Sequence, residues 1–146
     1  MYSNSSLKKA SAKENDYAGK KVLVVDDSEI NLVIADALLS RLNIQVDTAT
    51  LGADAIELVK NNRYDVIFMD YLMPRMNGIE TTSKIRQLSE VYASNDGEKA
   101  NYLRNVKIIA LTADDSDETK KKFEKAGVSG FTDKPIDVGK ILKWLK

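Results

Sequence analysis

One stretch near the middle of the chain, Asp65–Gly78 with the sequence DVIFMDYLMPRMNG, restricts the fold more than any other. Its unbroken apolar run, Val66–Met69, is typical of a strand that is covered on both faces. Asp70 ends this run. A carboxylate at the end of a buried strand lowers the stability of the fold unless another group pairs with it. The rest of the sequence therefore has to supply partners for Asp70.

The strand pattern recurs along the chain, and helical patterns separate the strands. Further strands are predicted at 21–25, 44–49, 106–111 and 129–132, and helices at 29–42, 50–61, 78–88, 115–126 and from 137 onward. Five βα units in succession predict an α/β fold with a doubly wound parallel sheet, helices on both faces and right-handed crossovers.

Three helices carry more detailed predictions. Asn77 with Glu80 predicts a capping box for the third helix, and Asp115 with Glu118 predicts the same device for the fourth. The apolar side of the first helix is predicted from residues at helical spacing, namely Ile30, Val33, Ile34, Ala37, Leu38 and Leu42.

The chain is predicted to hold a single domain, since 146 residues suffice for one core. Residues 1–20 are polar and predict a flexible N-terminal tail or linker, followed by the domain at 21–146. Residues 89–105 contain the turn signal NDG and little apolar periodicity. Because connections of this kind usually have about 2–6 residues, this segment predicts an extended third helix plus a surface insertion.

The composition excludes several classes of chemistry. Lysine plus arginine and aspartate plus glutamate both number 22, so the net charge of zero does not favour a nucleic-acid or anionic membrane partner. The absence of cysteine and histidine excludes disulfides, histidine triads, histidine–zinc sites and a role as phosphohistidine donor. No apolar run approaches the roughly 20 residues of a membrane span, and the N-terminus lacks an apolar signal core. We therefore expect a cytoplasmic location.

Polar side chains collect at the carboxyl ends of the predicted strands, where open parallel sheets bind ligands. The first strand is followed by Asp26-Asp27, the third ends in Asp70, the fourth leads to Thr112 and the fifth to Lys134. Each residue alone has an ordinary explanation as a helix cap, turn residue or surface side chain. Their coincidence at one edge favours a functional site.

The residue types at this edge indicate phosphoryl chemistry. Three neighbouring carboxylates repel one another, and a divalent cation such as Mg²⁺ or Mn²⁺ removes that repulsion. Lys134 can neutralise a phosphoryl oxygen and Thr112 can donate a hydrogen bond to another. Without histidine or cysteine the available nucleophile is a carboxylate, and Asp70 is the best candidate to form an acyl phosphate.

Four stretches, VLVVDDSEIN, VIFMDYLMPRMNGIE, IIALTA and GFTDKPI, together resemble the receiver domain of two-component response regulators. The resemblance covers 21–146 and implies a flavodoxin-like fold with strand order 2-1-3-4-5. The residues in and around the first two stretches are similar to those of receivers attached to hybrid sensor histidine kinases.

The resemblance implies a role for each acidic residue of the site. Asp70 is expected to be the phosphoacceptor and to bind Mg²⁺ together with Asp27. Asp26 is expected to act on the ion through water, and Leu72 through its backbone carbonyl. Leu72 and Asp114 are expected to flank the water that hydrolyses the acyl phosphate. We hypothesise that the apolar Leu72 hinders this water and lengthens the phosphorylated lifetime.

The resemblance also implies a switch. Lys134 is expected to contact the phosphoryl group, with a cis peptide bond to Pro135. Thr112 is expected to reach toward a phosphoryl oxygen, and Phe131 to change rotamer when Thr112 moves. The face formed by the fourth helix, fifth strand and fifth helix is expected to report the phosphorylation state, and a homodimer through this face is one arrangement that the resemblance allows.

The predicted function is that of a phosphoacceptor supplied by a histidine kinase or a histidine phosphotransfer protein, with no direct nucleic-acid or membrane contact. Such a domain phosphorylates itself and turns over no separate substrate, so it is not an enzyme in the ordinary sense. Two alternatives stay open. A Mg²⁺-dependent phosphatase with an aspartate nucleophile usually carries Asp-x-Asp, whereas Asp70 is followed here by Tyr71-Leu72. The other alternative is a degenerate receiver that is used only as a scaffold, and the intact site positions argue against it.

Overall fold

The computed structural model describes residues 17–145. Five parallel strands form one sheet in the order β2-β1-β3-β4-β5. They are β1 (Lys21–Val25), β2 (Gln45–Ala49), β3 (Val66–Asp70), β4 (Lys107–Thr112) and β5 (Gly130–Asp133). This arrangement confirms the predicted doubly wound α/β fold and its strand order.

Six helices connect and follow these strands in the described part of the chain. They are α1 (Glu29–Ser40), α2 (Gly52–Asn61), α3 (Gly78–Tyr92), α4 (Gly97–Asn105), α5 (Asp117–Ala126) and α6 (Val138–Leu142). None of them is long and apolar enough to cross a bilayer.

The core has two layers because successive strand residues face opposite sides of the sheet. The layer against α1 and α6 contains Val22, Val24, Phe68, Leu32, Leu39 and Ile141. The layer against α2, α3 and α4 contains Leu23, Val25, Ile67, Ala55, Ile85 and Leu103. Strand β3 is buried along its whole length, as its apolar run predicts. Asp70 at its end is therefore held between the two layers.

The predicted apolar side of α1 is wrong. Ile30, Val33 and Ile34 are 73%, 68% and 48% exposed, whereas Leu32, Ala35 and Leu39 are buried against the sheet. Because the helix sequence EINLVIADALLS is apolar on more than one side, spacing alone does not decide which stripe packs inward. Most of the stripe that was expected to be buried is therefore exposed, whereas Leu42, which follows the helix, packs against the core as predicted.

The helix caps agree with the sequence at α3 and differ at α5. Asn77 and Glu80 form the predicted capping box. The cap of α5 is Ser116 rather than Asp115, because the backbone of Ser116 is extended and its hydroxyl accepts from the third backbone N–H of the helix. The turn is displaced by one residue since the Asp114 carboxylate accepts from the backbone N–H of Ser116 at 2.9 Å.

The segment 89–105 is mostly helical. Helix α3 continues to Tyr92, which confirms the extended third helix, and α4 follows a short turn. The insertion is less superficial than predicted, since α4 buries Ala100 and Leu103. Two buried residues three positions apart make a stripe too short for periodicity to reveal.

The predicted tail, residues 1–20, lies largely outside the described residues. Its last part contacts the domain: Tyr17 packs against the first core layer, and Gly19 donates a backbone hydrogen bond to Asn43. Contacts with the domain therefore extend at least to Tyr17, upstream of the predicted boundary at residue 21.

Candidate functional site

The carboxyl ends of β1 and β3 bring three acidic residues together. One carboxylate oxygen each from Asp26, Asp27 and Asp70 lies within 4.8 Å of the others. Asp26 is fully buried and Asp70 is 2% exposed, whereas Asp27 is exposed. The cluster forms because β1 and β3 are neighbours in register, with Val25 opposite Met69. The sheet therefore brings these three acids together, as the sequence predicts.

Asp26 is held by the first turn of α1. Its Oδ1 accepts from the backbone N–H of Ser28 at 2.9 Å, and its Oδ2 accepts from the side-chain amide of Asn31 at 3.2 Å. Sequence reasoning missed Asn31, although it lies inside the stretch VLVVDDSEIN. Only its position five residues after Asp26, within the first turns of the next helix, could have indicated this contact.

Asp70 has one paired and one unpaired oxygen. Its Oδ1 lies 2.6 Å from the Lys134 ammonium, while its buried Oδ2 has no hydrogen-bond partner among the described residues. Burial raises the pKa of Asp70 to about 6, and the charges of Asp26 and Asp27 act in the same direction against the opposing Lys134 contact. Asp70 is therefore the buried carboxylate that the sequence predicts. Its hydrogen bonding is incomplete, so its burial lowers the stability of the fold.

The three acids fit a hard divalent cation. An unpaired buried carboxylate oxygen beside two further carboxylates offers the all-oxygen ligation that Mg²⁺ prefers. Lys134 lies 3.9 Å from Asp26 Oδ2 but 2.6 Å from Asp70 Oδ1, so it pairs more closely with Asp70. One ammonium is insufficient to neutralise three carboxylates, which leaves the site with excess negative charge.

The loop after β3 is shaped by close backbone packing. Gly78 donates its N–H to the Tyr71 carbonyl at 2.8 Å, and a side chain at Gly78 would collide with the backbone of Asp70. Arg75 adopts a positive φ of 69° in the same loop. The exposed Leu72 lies in this loop and shares a cleft with Asp70.

A cleft of about 560 Å³ opens over the site. It is lined by Asp70, Tyr71, Leu72, Thr112, Ala113, Asp114 and Lys134. The two positions expected to flank a hydrolytic water, Leu72 and Asp114, both line it. The Lys134–Pro135 peptide bond is cis, in agreement with the resemblance.

The Thr112 hydroxyl is engaged by the loop that follows β4. It accepts from the backbone N–H of Asp114 at 2.9 Å and donates to the Asp114 carbonyl at 3.2 Å. The Asp114 carboxylate in turn accepts from the Ser116 N–H and from the Thr119 hydroxyl at 2.7 Å. These bonds, the Ser116 backbone bond foremost, lower the pKa of Asp114. The loop therefore holds Thr112 in a defined position.

Three aromatic rings extend from the site toward β5. The Tyr71 ring meets Phe123 edge to face at 5.4 Å, and Phe123 meets Phe131 at 6.2 Å. Phe131 is half-buried, and the Lys120 ammonium lies 5.9 Å from its ring centre. The sequence predicts Phe131 as a switch residue but does not indicate the contacts of Tyr71 and Phe123, because these residues are far apart in the chain.

Comparison with known proteins gives consistent matches. The family model described as "Response regulator receiver domain" matches residues 22–146. Two-component response regulator 24 of Arabidopsis thaliana is 36% identical over 124 residues, which cover 84% of this chain and 79% of the relative. Hybrid signal transduction histidine kinase B of Dictyostelium discoideum is 38% identical over 125 residues, 84% of this chain. The chain spans only 6% of that kinase and 13% of Probable histidine kinase 6 of Oryza sativa subsp. japonica.

Solved structures match over most of the chain. The receiver domain of the histidine kinase CKI1 from Arabidopsis thaliana, complexed with Mg²⁺, has a TM-score of 0.75 at 27% identity and covers 92% of this chain and 97% of that one. The receiver domain of Ssk1 from Saccharomyces cerevisiae, solved with the histidine phosphotransfer protein Ypd1, has a TM-score of 0.74 at 30% identity, covering 88% of each chain.

Proposed function

This chain belongs to the response regulator receiver domain family of two-component signalling, and on that premise we propose that Asp70 accepts a phosphoryl group from a phosphohistidine. The observation that carries the proposal is the Asp70 carboxylate, which pairs with Lys134 through one oxygen and leaves the other buried and unpaired. The domain acts once per phosphoryl group received and turns over no separate substrate.

In the proposed step an Asp70 oxygen attacks the phosphorus of the phosphohistidine. The phosphorus–nitrogen bond breaks, an acyl phosphate forms, and the imidazole leaves and takes up a proton from solvent. Lys134 is placed to donate to a phosphoryl oxygen, since its ammonium already lies 2.6 Å from Asp70. A carboxylate with a pKa of about 6 is largely ionised at neutral pH and can serve as the nucleophile.

Mg²⁺ is the proposed cofactor, with Mn²⁺ as a substitute. Asp27 and Asp70 would hold the ion directly, Asp26 through water and Leu72 through its backbone carbonyl. When bound, the ion offsets the repulsion among the carboxylates and the charge of the incoming phosphoryl group. The clustered acids support this assignment, as does the Mg²⁺ complex of the similar CKI1 receiver.

Phosphorylation is proposed to act through Thr112 and Phe131. The new phosphoryl oxygens are strong acceptors and compete with the Asp114 backbone for the Thr112 hydroxyl. Displacement of Thr112 makes room for the half-buried Phe131 ring to move inward, which biases an existing two-state packing. Because the crossover from β3 to β4 contains two helices, the predicted fourth and fifth helices are α5 and α6, and the reporting face is formed by α5, β5 and α6. A homodimer through this face stays a prediction.

The exposed stripe of α1 is the proposed contact for the phosphoryl donor. Asp70 is buried, so the protein that carries the phosphohistidine has to cover the surface around the cleft. Ile30, Val33 and Ile34 expose apolar area on the helix that begins two residues after Asp27. A histidine phosphotransfer protein or a histidine kinase would fill this role, as Ypd1 accompanies the similar Ssk1 receiver. The parent protein of this domain is proposed to be a hybrid histidine kinase.

Mass spectrometry tests the central step. After incubation with acetyl phosphate and Mg²⁺, we expect the intact protein to gain one phosphoryl group, and Asp70→Asn to gain none. Asp65→Asn is the matched control, because Asp65 precedes β3 at the opposite edge of the sheet. No mass gain in the natural sequence, or an equal gain in Asp70→Asn, would contradict the proposal.

The lifetime of the acyl phosphate tests the role of Leu72. An amide at this exposed position can orient a water molecule, which the leucine side chain does not do. We expect Leu72→Asn to accelerate dephosphorylation several-fold, measured by loss of the phosphorylated mass after donor removal. Leu72→Met, which keeps an apolar side chain, is the control. An unchanged dephosphorylation rate in Leu72→Asn would contradict the hypothesis that Leu72 lengthens the phosphorylated lifetime.

A further inference from the structure

We propose that Asn31 is a positioning residue for the cation site, acting through Asp26. Its side-chain amide holds Asp26 Oδ2 in place and leaves Lys134 free to pair with Asp70. The inference rests on the proposed Mg²⁺ site and adds a residue to it that contacts neither the ion nor the phosphoryl group.

The hydrogen bonds of Asp26 hold its side chain in one orientation. This fully buried carboxylate receives one hydrogen bond on each oxygen, from the Ser28 backbone at 2.9 Å and from Asn31 Nδ2 at 3.2 Å. Both donors belong to the start of α1. Two donors on different oxygens determine the rotation of the carboxylate plane, which a single donor does not.

Asp26 and Asp70 compete for one ammonium group. Lys134 lies 2.6 Å from Asp70 Oδ1 and 3.9 Å from Asp26 Oδ2. If the Asn31 amide is removed, Lys134 is the cation among residues 17–145 that lies near enough to pair with Asp26 Oδ2. Because a buried carboxylate without a donor is costly, Lys134 is then drawn toward Asp26 and away from Asp70.

The Asn31 residue is itself held in place. The backbone N–H of Asn31 donates to the capping hydroxyl of Ser28 at 3.3 Å, which fixes this residue in the first turn of α1. Asn31 is half-buried, whereas its neighbour Ile30 is exposed. The amide therefore points from the helix into the site. A neutral donor suits this place because it orients Asp26 without competing for the ion by charge.

Calorimetric titration with Mg²⁺ tests the inference without any phosphoryl donor. Partners of metal-binding side chains typically contribute about 10-fold or more to metal affinity, so Asn31→Ala should raise the Kd for Mg²⁺ about 10-fold. In an Asp26→Asn background, Asn31→Ala should have no further effect on the Kd. The phosphorylation rate of Asn31→Ala should recover at saturating Mg²⁺.

Ala37→Gly is the matched control. This exposed residue lies in the interior of α1, and glycine there lowers helix stability by about 1 kcal/mol without reaching Asp26. Its Kd for Mg²⁺ should equal that of the natural sequence. Asn31→Ser serves as a second variant should Asn31→Ala fail to fold, with the same expected direction.

Three results would overturn the inference: an unchanged Kd in the folded Asn31 variants, an equal loss in Ala37→Gly, or a further loss in the Asp26→Asn background. A natural sequence that binds no Mg²⁺ would instead contradict the proposed function. The two failures are therefore distinguishable.

Discussion

The two edges of the sheet treat buried polar groups in opposite ways. At the carboxyl edge, three acids share one ammonium, and Asp70 keeps an unpaired oxygen. At the amino edge, the polar groups are paired across elements. Arg86 donates to the carbonyls of Gly127 at 2.8 and 3.0 Å and of Leu103 at 3.0 Å.

The amino edge also pairs its tyrosines. Tyr64 donates to Asp47 at 2.6 Å, and Tyr102 accepts from the backbone N–H of Tyr64 at 2.9 Å. Burial raises the pKa of both hydroxyls and lowers the pKa of Arg86, so the tyrosines stay neutral. This difference indicates that the paired polar groups of the amino edge stabilise the fold. The carboxyl edge instead keeps a buried carboxylate oxygen without a partner among the described residues.

Arg86→Leu should give the largest effect, because it leaves the Gly127 and Leu103 carbonyls without their donor. We expect the free energy of unfolding to fall by roughly 3 kcal/mol in urea denaturation. Binding of Mg²⁺ should be unchanged. Lys84→Leu, at an exposed position of the same helix, controls for the loss of a charge. A similarly small change in the free energy of unfolding of both variants would contradict a stabilising role for Arg86.

Mg²⁺ should complete the carboxyl edge and stabilise the fold by mass action. At a hundredfold excess over Kd we expect an increase of about 2.7 kcal/mol in the free energy of unfolding. Thermal melting with Mg²⁺ or with a chelator measures it, and Asp70→Asn should show a smaller increase. A melting curve unaffected by millimolar Mg²⁺ would count against the site.

Asp70→Asn should stabilise the metal-free protein at high pH. The pKa of Asp70 is about 6 in the fold against an ordinary 3.8, so the folded state binds more protons and loses stability as pH rises from about 4 to 6. Asparagine does not titrate. At pH 8 in chelator we expect a gain on the order of 2 kcal/mol, shrinking at pH 5, in melting curves of both proteins. Equal differences at the two pH values would refute this.

Tyr102→Phe should give the smallest effect. It removes the acceptor for the backbone N–H of Tyr64, and we expect a loss of roughly 1 kcal/mol in urea denaturation. Tyr92→Phe is the control, since the Tyr92 ring contacts Lys99 and its hydroxyl has no hydrogen bond among residues 17–145. If the two variants lose equal stability, the Tyr64–Tyr102 contact contributes nothing specific.

Much of the carboxyl edge was predictable, and little of the amino edge was. Asp26, Asp70 and Lys134 follow strands whose apolar runs are plain in the sequence, so the order of βα units places them together. Arg86 and Tyr102 lie in helices with no pattern that marks them, and their partners are backbone groups or residues far along the chain. Contacts of this kind have no local signal.

Helix α1 shows the limit within a single element. Its existence follows from apolar spacing and the Ser28 cap, but the buried stripe of Leu32, Ala35 and Leu39 was chosen by packing against the sheet. The same choice brought Asn31 onto Asp26 and turned Ile30 outward. A helix with two apolar stripes is ambiguous until a partner surface selects one.

The sequence by itself determined the five βα units, the doubly wound sheet and the identity of the acids, hydroxyl and lysine at its carboxyl edge. Parallel strands end at the same edge, so strand order alone places those residue types together. Only the tertiary structure decided that Lys134 pairs with Asp70 more closely than with Asp26, and that Asp70 Oδ2 stays unpaired. Such choices depend on ångström-scale packing between segments distant in the chain, which local periodicity does not encode.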